Sequence, residues 1–142
     1  MLVSQILKDK GDLVFTASPD QSLEQASAAL DERKVGALVV IDARGRVAGI
    51  LSERDVVKAV ARQGAAGLGR PVSACMTREV IVAAPGESID ALLARMTDRR
   101  VRHLPVLEEG RLVGIVSIGD LVKHRIAETQ AEAETLKAYI AA

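Results

Sequence analysis

Aromatic side chains are almost missing from this chain: one Phe, one Tyr and no Trp in 142 residues, although 49% of it is apolar. The interior must therefore be packed from Val, Ile, Leu, Ala and Met, and the chain lacks the set of aromatic rings on which unpaired bases stack. Net charge is lacking as well. Nineteen basic and nineteen acidic side chains cancel, so no global field draws the chain to nucleic acid or to an anionic membrane, and anion recognition has to be local. A solitary Cys75 excludes an internal disulfide and a thiolate cluster for structural zinc, which makes a reducing compartment the default. No apolar run reaches the roughly 18 residues of a membrane span, and Met1-Leu2-Val3-Ser4-Gln5 has neither the charged start nor the long apolar core of a secretory leader. The expectation is a soluble cytoplasmic protein without a membrane or nucleic-acid partner.

What the chain does have is an internal repeat. Val14-Phe15-Thr16-Ala17-Ser18-Pro19-Asp20-Gln21-Ser22-Leu23 lies over Val80-Ile81-Val82-Ala83-Ala84-Pro85-Gly86-Glu87-Ser88-Ile89 at an offset of 66 (80 minus 14). Arg33-Lys34-Val35 meets Arg99-Arg100-Val101, and Leu38 to Asp42 meets Leu104 to Glu108. The offset then falls by one, because Ala43-Arg44-Gly45-Arg46 is one residue longer than Glu109-Gly110-Arg111; a hairpin turn tolerates such a deletion. Each unit reads strand, helix, strand, strand, helix. Ser22 and Ser88 are N-cap candidates, followed by Leu23, Ala26, Leu30 and by Ile89, Leu92, Leu93, Met96 at helical spacing. Strands over 38–41 and 47–51, and over 104–107 and 112–116, flank turns at Arg44-Gly45 and Glu109-Gly110. A second helix runs over 55–62 as far as Gly64, and the Gly-rich stretch ending at Pro71 reads as a flexible linker. The expected division is 1–64 for the first unit, 65–71 for the linker, 72–126 for the second unit and 127–142 for a helical extension. Units of roughly 60 residues are marginal alone, so the two should pack together about a pseudo-twofold axis in an α/β (α+β) fold.

The heptapeptide Gly49-Ile50-Leu51-Ser52-Glu53-Arg54-Asp55 recurs as Gly114-Ile115-Val116-Ser117-Ile118-Gly119-Asp120. In one reading, Ser-x-x-Asp at a strand-to-helix joint is a capping device, and Gly49 and Gly114 are strand positions approached by another backbone. In the other, helix-start amides and a serine hydroxyl hold phosphate while the acceptor-only Asp holds the cis-diol of a ribose. The edges at Leu38-Val39 and Leu104-Pro105 would supply an apolar slot for a base.

These tandem heptapeptides, with Gly36-Ala37-Leu38-Val39-Val40 and Arg102-His103-Leu104-Pro105-Val106 before the hairpins, resemble a pair of CBS domains, a Bateman module, over Val3 to about Arg125. The resemblance implies a regulatory, non-catalytic sensor that binds an adenosyl ligand (AMP first, with ADP, ATP, NAD(H) and S-adenosylmethionine as alternatives) in clefts between the units. It implies one site of Thr16, Ala17, Gly36, Ala37, Leu38, Ser52 and Asp55 and another of Val82, Ala83, His103, Leu104, Pro105, Ser117 and Asp120. Lys34, Arg54, Arg100, Arg102 and His103 lie near the joints; Arg54 and Arg102 suit a phosphate best, since a guanidinium binds it bidentately. Glu53-Arg54 offers a long cation where Ile118-Gly119 offers none and lets a phosphate approach the backbone, so the two sites should differ in affinity. A ligand-free dimerisation or protein-interaction scaffold remains the alternative.

His103 and His124 have no acid or cysteine at ligand spacing, so no metal site is expected; Cys75, beside Met76, reads as core. No Ser-His-Asp, paired-carboxylate or P-loop pattern suggests catalysis. Beyond Leu121 the apolar residues Val122, Ile126, Thr129, Ala133, Leu136 and Ile140 follow coiled-coil spacing. That seam would fold back on its own module or pack against a second subunit; the resemblance implies a homodimer and a regulated protein partner.

Overall fold

The computed structural model describes residues 1–141. Along the chain run α1 (Val3–Lys10), β1 (Thr16–Ala17), α2 (Leu23–Arg33), β2 (Ala37–Ile41), β3 (Val47–Ser52), α3 (Glu53–Gln63), a 3-10 segment (Gly64–Gly69), α4 (Val72–Cys75), α5 (Ile89–Arg99), β4 (His103–Glu108), β5 (Arg111–Ser117) and α6 (Ile118–Ala141). This is the expected mixture of helices and small sheets with a long last helix. The elements gather into two compact units: the first is Leu13–Ile81, and the second combines Met1–Asp12 with the chain from Val82 onward.

In the first unit, Ser22 is extended (φ −72, ψ 154) and its hydroxyl accepts the Gln25 amide, while the Gln25 side chain accepts the Ser22 amide. With the helix started there, Leu23, Ala26 and Leu30 fall on one face and are buried. The sheet order is β1-β2-β3, with β1 parallel and β3 antiparallel to β2. Leu38, Val40 and Leu51 of that sheet join α2, Ala59 and Val72 in an aliphatic core, and Cys75 packs against it, half-buried. The stretch expected as a flexible linker is instead wound into the 3-10 segment and leads through Arg70 and Pro71 directly into α4. Its backbone is tied down: Leu23 N donates to Arg70 O at 2.8 Å, and Val72 N to Gln21 O at 2.8 Å.

The second unit repeats this plan with two departures. Ser88 caps α5 by accepting the Ala91 amide at 3.2 Å, and Ile89, Leu92 and Met96 are buried as their spacing predicts. The opening strand, however, shrinks to a single parallel bridge between Ala83 and Val106. The cause is Pro105. Its counterpart Val39 donates its amide to Phe15 O at 3.3 Å, a bond proline cannot make. The other departure is α1, which takes the place that α4 holds in the first unit. Val3 N donates to Glu87 O and Ser4 N to Pro85 O, each at 2.9 Å, as Val72 N and Ser73 N donate to Gln21 O and Pro19 O. Val3 and Ile6 are fully buried there, each contributing about 1.5–3 kcal/mol, so the first twelve residues belong to the unit most distant in sequence, across the expected boundary of 1–64.

The hairpins differ as the one-residue deletion requires. Glu109 (φ 51) and Gly110 (φ 77) make a two-residue turn with both φ positive. The longer turn places only Gly45 at positive φ and uses the Asp42 carboxylate, which accepts the Arg44 and Arg46 amides at 2.9 Å. Of α6 only Leu121 and His124 are buried, and residues 129–141 are exposed, so the last helix does not fold back on the module.

Gly49 and Gly114 are not equivalent. A Cβ at Gly49 would lie 2.8 Å from the Thr77 carbonyl oxygen, so a backbone does approach there; the atoms nearest a Cβ at Gly114 belong to the Leu7 side chain, at 2.5 Å. A leucine tip can rotate away and a bridged backbone cannot. Gly49→Ala should therefore lower the unfolding free energy by about 1–3 kcal/mol, and Gly114→Ala by less than half as much, as read by urea denaturation of the two variants.

Candidate functional site

Each Ser-x-x-Asp motif forms a closed corner where a strand becomes a helix. In the first unit Ser52 N donates to Asp55 Oδ2 at 2.9 Å, Ser52 Oγ donates to the same oxygen at 3.1 Å, and Asp55 N donates back to Ser52 Oγ at 3.4 Å. In the second, Ser117 N donates to Asp120 Oδ2 at 2.9 Å and Asp120 N to Ser117 Oγ at 3.1 Å. This is a capping box with Asp in the acidic position, and it starts α3 at Glu53, two residues ahead of the helix start expected at Asp55. The corner is closed from the neighbouring strand: Glu53 N donates to Gly36 O at 3.0 Å and Ile118 N to Arg102 O at 2.8 Å.

Strand register assembles the remaining candidates. Ala37 stands opposite Ser52, and His103 opposite Ser117, so Gly36-Ala37 and Arg102-His103 flank their own corners. Thr16 pairs with Val39 from the other side of β2 and is exposed; Val82 is exposed too, its carbonyl accepting Arg95 Nη1 at 2.9 Å. Arg54 and Gly119 are exposed at the helix starts, and Arg102 is exposed just before β4. Ala17, Ala37, Leu38, Ala83, Leu104 and Pro105 are buried, so their backbone is what they can offer a base. Lys34 (φ 54) and Arg100 (φ 56) occupy matching left-handed positions that end α2 and α5.

Two residues that the repeat did not single out complete the corners. In the first unit Thr77 exchanges backbone hydrogen bonds with Ile50, donating its amide to Ile50 O at 2.9 Å, while its hydroxyl donates to Asp55 Oδ1 at 3.5 Å. In the second unit Lys10 meets the equivalent acceptors with one ammonium: Nζ donates to Ile115 O at 2.8 Å and to Asp120 Oδ2 at 2.7 Å. Both residues precede the matched segments, and Thr and Lys share no side-chain chemistry, so comparing the chain with itself could not find them. His124 reinforces the second corner, with Nδ1 2.8 Å from Asp120 O and Nε2 3.2 Å from Asp9 Oδ2. No cluster of three metal-ligating side chains occurs among the described residues, and none of their helices is long and apolar enough to cross a membrane.

The corners consequently differ in charge. Asp55 is buried against neutral donors, whereas Asp120 is ion-paired. Burial pushes the Asp120 carboxyl up, but the Lys10 ammonium and the Ser117 amide more than offset this, and it titrates below its ordinary 3.8.

A twice-repeated α+β unit whose helix starts carry a Ser-x-x-Asp corner matches a known family model, the CBS domain, over residues 11–62 and 72–127. The chain belongs to the CBS-domain family and carries the domain in tandem. It is 32% identical to the mitochondrial CBS domain-containing protein CBSX3 of Arabidopsis thaliana, over 97% of this chain and 71% of that one. Among solved structures it resembles the CBS-domain containing protein ATU1752 from Agrobacterium tumefaciens, with 50% identity and a TM-score of 0.86 over 87% of this chain and 92% of that one. It also resembles the CBS domain pair of protein MJ0100, solved in complex with 5'-methylthioadenosine and S-adenosyl-L-methionine, with 27% identity and a TM-score of 0.80 over 90% of this chain and 98% of that one.

Because the native Asp120 carboxyl is held below its ordinary value, the Lys10 pair stabilises the fold above the unfolded-state pKa of about 3.9 and stops doing so as pH falls through the lower native value. Lys10→Met should cost about 1 kcal/mol at pH 7. In a carbon-13 carboxyl titration it should move the Asp120 midpoint upward.

Proposed function

We propose that the chain is a non-catalytic, cytoplasmic regulatory sensor that binds an adenine nucleotide. AMP is the first candidate, with ADP, ATP and NAD(H) as alternatives; the ligand is held at the Ser-x-x-Asp corners, and its presence is passed to a protein partner by a homodimer. The carrying observation is the division of labour within each carboxylate. Every capping bond that the Asp55 and Asp120 carboxylates accept converges on Oδ2, and among the described residues Oδ1 meets only the long 3.5 Å Thr77 contact in one corner and no donor in the other. A carboxylate has about four lone-pair directions, so capping the helix leaves an oxygen able to accept the hydroxyls of a ribose. The adenosyl group common to both molecules bound by MJ0100 supports a nucleoside ligand. In this reading Ser52 and Ser117 serve phosphate, Arg54 and Arg102 neutralise it, Gly119 lets it approach, and the backbone of Thr16, Gly36, Ala37, Leu38, Val82, His103 and Pro105 receives the base.

The scaffold reading is favoured by one observation only: in the described state both serine hydroxyls are already engaged in capping. A sensor also needs two states that the ligand distinguishes by affinity, since equal affinity for both shifts nothing.

Thermal melts with AMP, ADP, ATP, NAD(H) and S-adenosylmethionine separate the two readings. A ligand at a hundred times its dissociation constant should stabilise the chain by about 2.7 kcal/mol; flat melts with all five would leave the scaffold. Calorimetry with an active ligand should return two unequal dissociation constants, because Glu53-Arg54 and the Lys10-paired Asp120 give the corners different charge. Asp55→Ala and Asp120→Ala should each remove one of the two sites.

A further inference from the structure

The exposed side of α6 carries an apolar stripe that its own unit leaves uncovered. Leu121 and His124, the buried residues of this helix, fix its inward face. At 100° per residue Val122, Ile126, Thr129, Ala133, Leu136 and Ile140 cluster about 130° away from it, more than a third of a turn. Val122 is 44%, Ile126 53%, Leu136 59% and Ile140 75% exposed. The stripe is about 27 Å long and follows the alternating four-and-three spacing of a supercoiling seam. Isolated apolar residues on a surface need no explanation; an ordered row along one helix does.

Charges beside the stripe select the occupant. With Ile126, Ala133 and Ile140 at a positions and Thr129 and Leu136 at d, Glu132 occupies a g position and Lys137 the following e position. In a parallel pair, g of one helix faces the next e of the other. Glu132 then meets Lys137 of a second copy, twice by symmetry. In an antiparallel pair g faces g, and centring the stripe sets Glu132 against Glu132 of the second copy. We infer that α6 is an interface for a second copy of this chain, the two helices running parallel with Ile126, Ala133, Leu136 and Ile140 in the seam and Glu132–Lys137 pairs along both edges. The inference rests on the homodimer of the proposed function, whose interface it names, and needs no nucleotide.

Sedimentation of the full chain, with and without charge reversal, tests it. The chain should dimerise reversibly; Glu132→Lys or Lys137→Glu alone should raise the dissociation constant about tenfold, and the double variant should return it to within about threefold of the parent. In a Cys75→Ser background, Ile126→Cys and Ile140→Cys should each form a disulfide with the same residue of a second copy under mild oxidation. A chain that stays monomeric at about 100 µM, a dissociation constant indifferent to charge reversal, or a crosslink that forms only between the two variants when mixed would each overturn the inference.

Discussion

Both units rest on the reciprocal exchange between Ser and Asp at the end of a strand. A helix beginning directly after a strand leaves its first amides without carbonyl partners, and here side chains and the neighbouring strand supply them. Serine takes the amide three residues on, aspartate reaches back to the serine amide, and the next amide goes to Gly36 O or Arg102 O of the neighbouring strand. The last bond couples the hairpin to the helix. Removing the exchange would free the direction in which α3 or α6 leaves the sheet, and with it the placement of every candidate residue around the corner.

The same acceptors are satisfied in two chemically different ways. Thr77 offers a backbone amide and a hydroxyl from an extended segment; Lys10 offers one ammonium from a helix. The substitution follows from how each preceding element enters its unit. α4 is four residues long and ends early enough for Thr77 to bridge Ile50, whereas α1 continues for eight residues, so its backbone is occupied within the helix and a long side chain must reach across. An ammonium neutralises the carboxylate where a hydroxyl does not. The asymmetry between the corners is therefore set by the length of a helix far away in sequence as well as by the variable residues inside the heptapeptide.

Much of this was legible in the sequence because the repeat shows two solutions to one folding problem. The caps at Ser22 and Ser88, the buried faces of α2 and α5, both hairpins and the two corners all follow from local pattern. What stayed hidden depends on tertiary pairing. Pro105 is unremarkable as a residue of an apolar run until its missing N–H is set against the amide of Val39. The Gly-rich stretch 64–71 has the composition of a linker, yet a Cβ at Gly67 would lie 2.8 Å from Ala59 O, so a glycine that reads as a sign of freedom is required by close packing. The docking of Met1–Asp12 onto the second unit leaves no local trace beyond the buried pair Val3 and Ile6.

The capping and ligand readings of Ser-x-x-Asp need not compete. A cap requires one carboxylate oxygen at fixed distance from a backbone amide, and that requirement orients the second oxygen as a by-product. In both corners the orienting bonds lie on Oδ2. The oxygen left over is held rigidly by the helix that the first one starts, so an acceptor aimed at two hydroxyls would lose little entropy on binding, the condition under which a short polar contact contributes most to affinity. Helix initiation in this chain thus supplies the preorganisation that recognition of a diol would require, and a residue essential to the fold would be essential to the site for the same geometric reason.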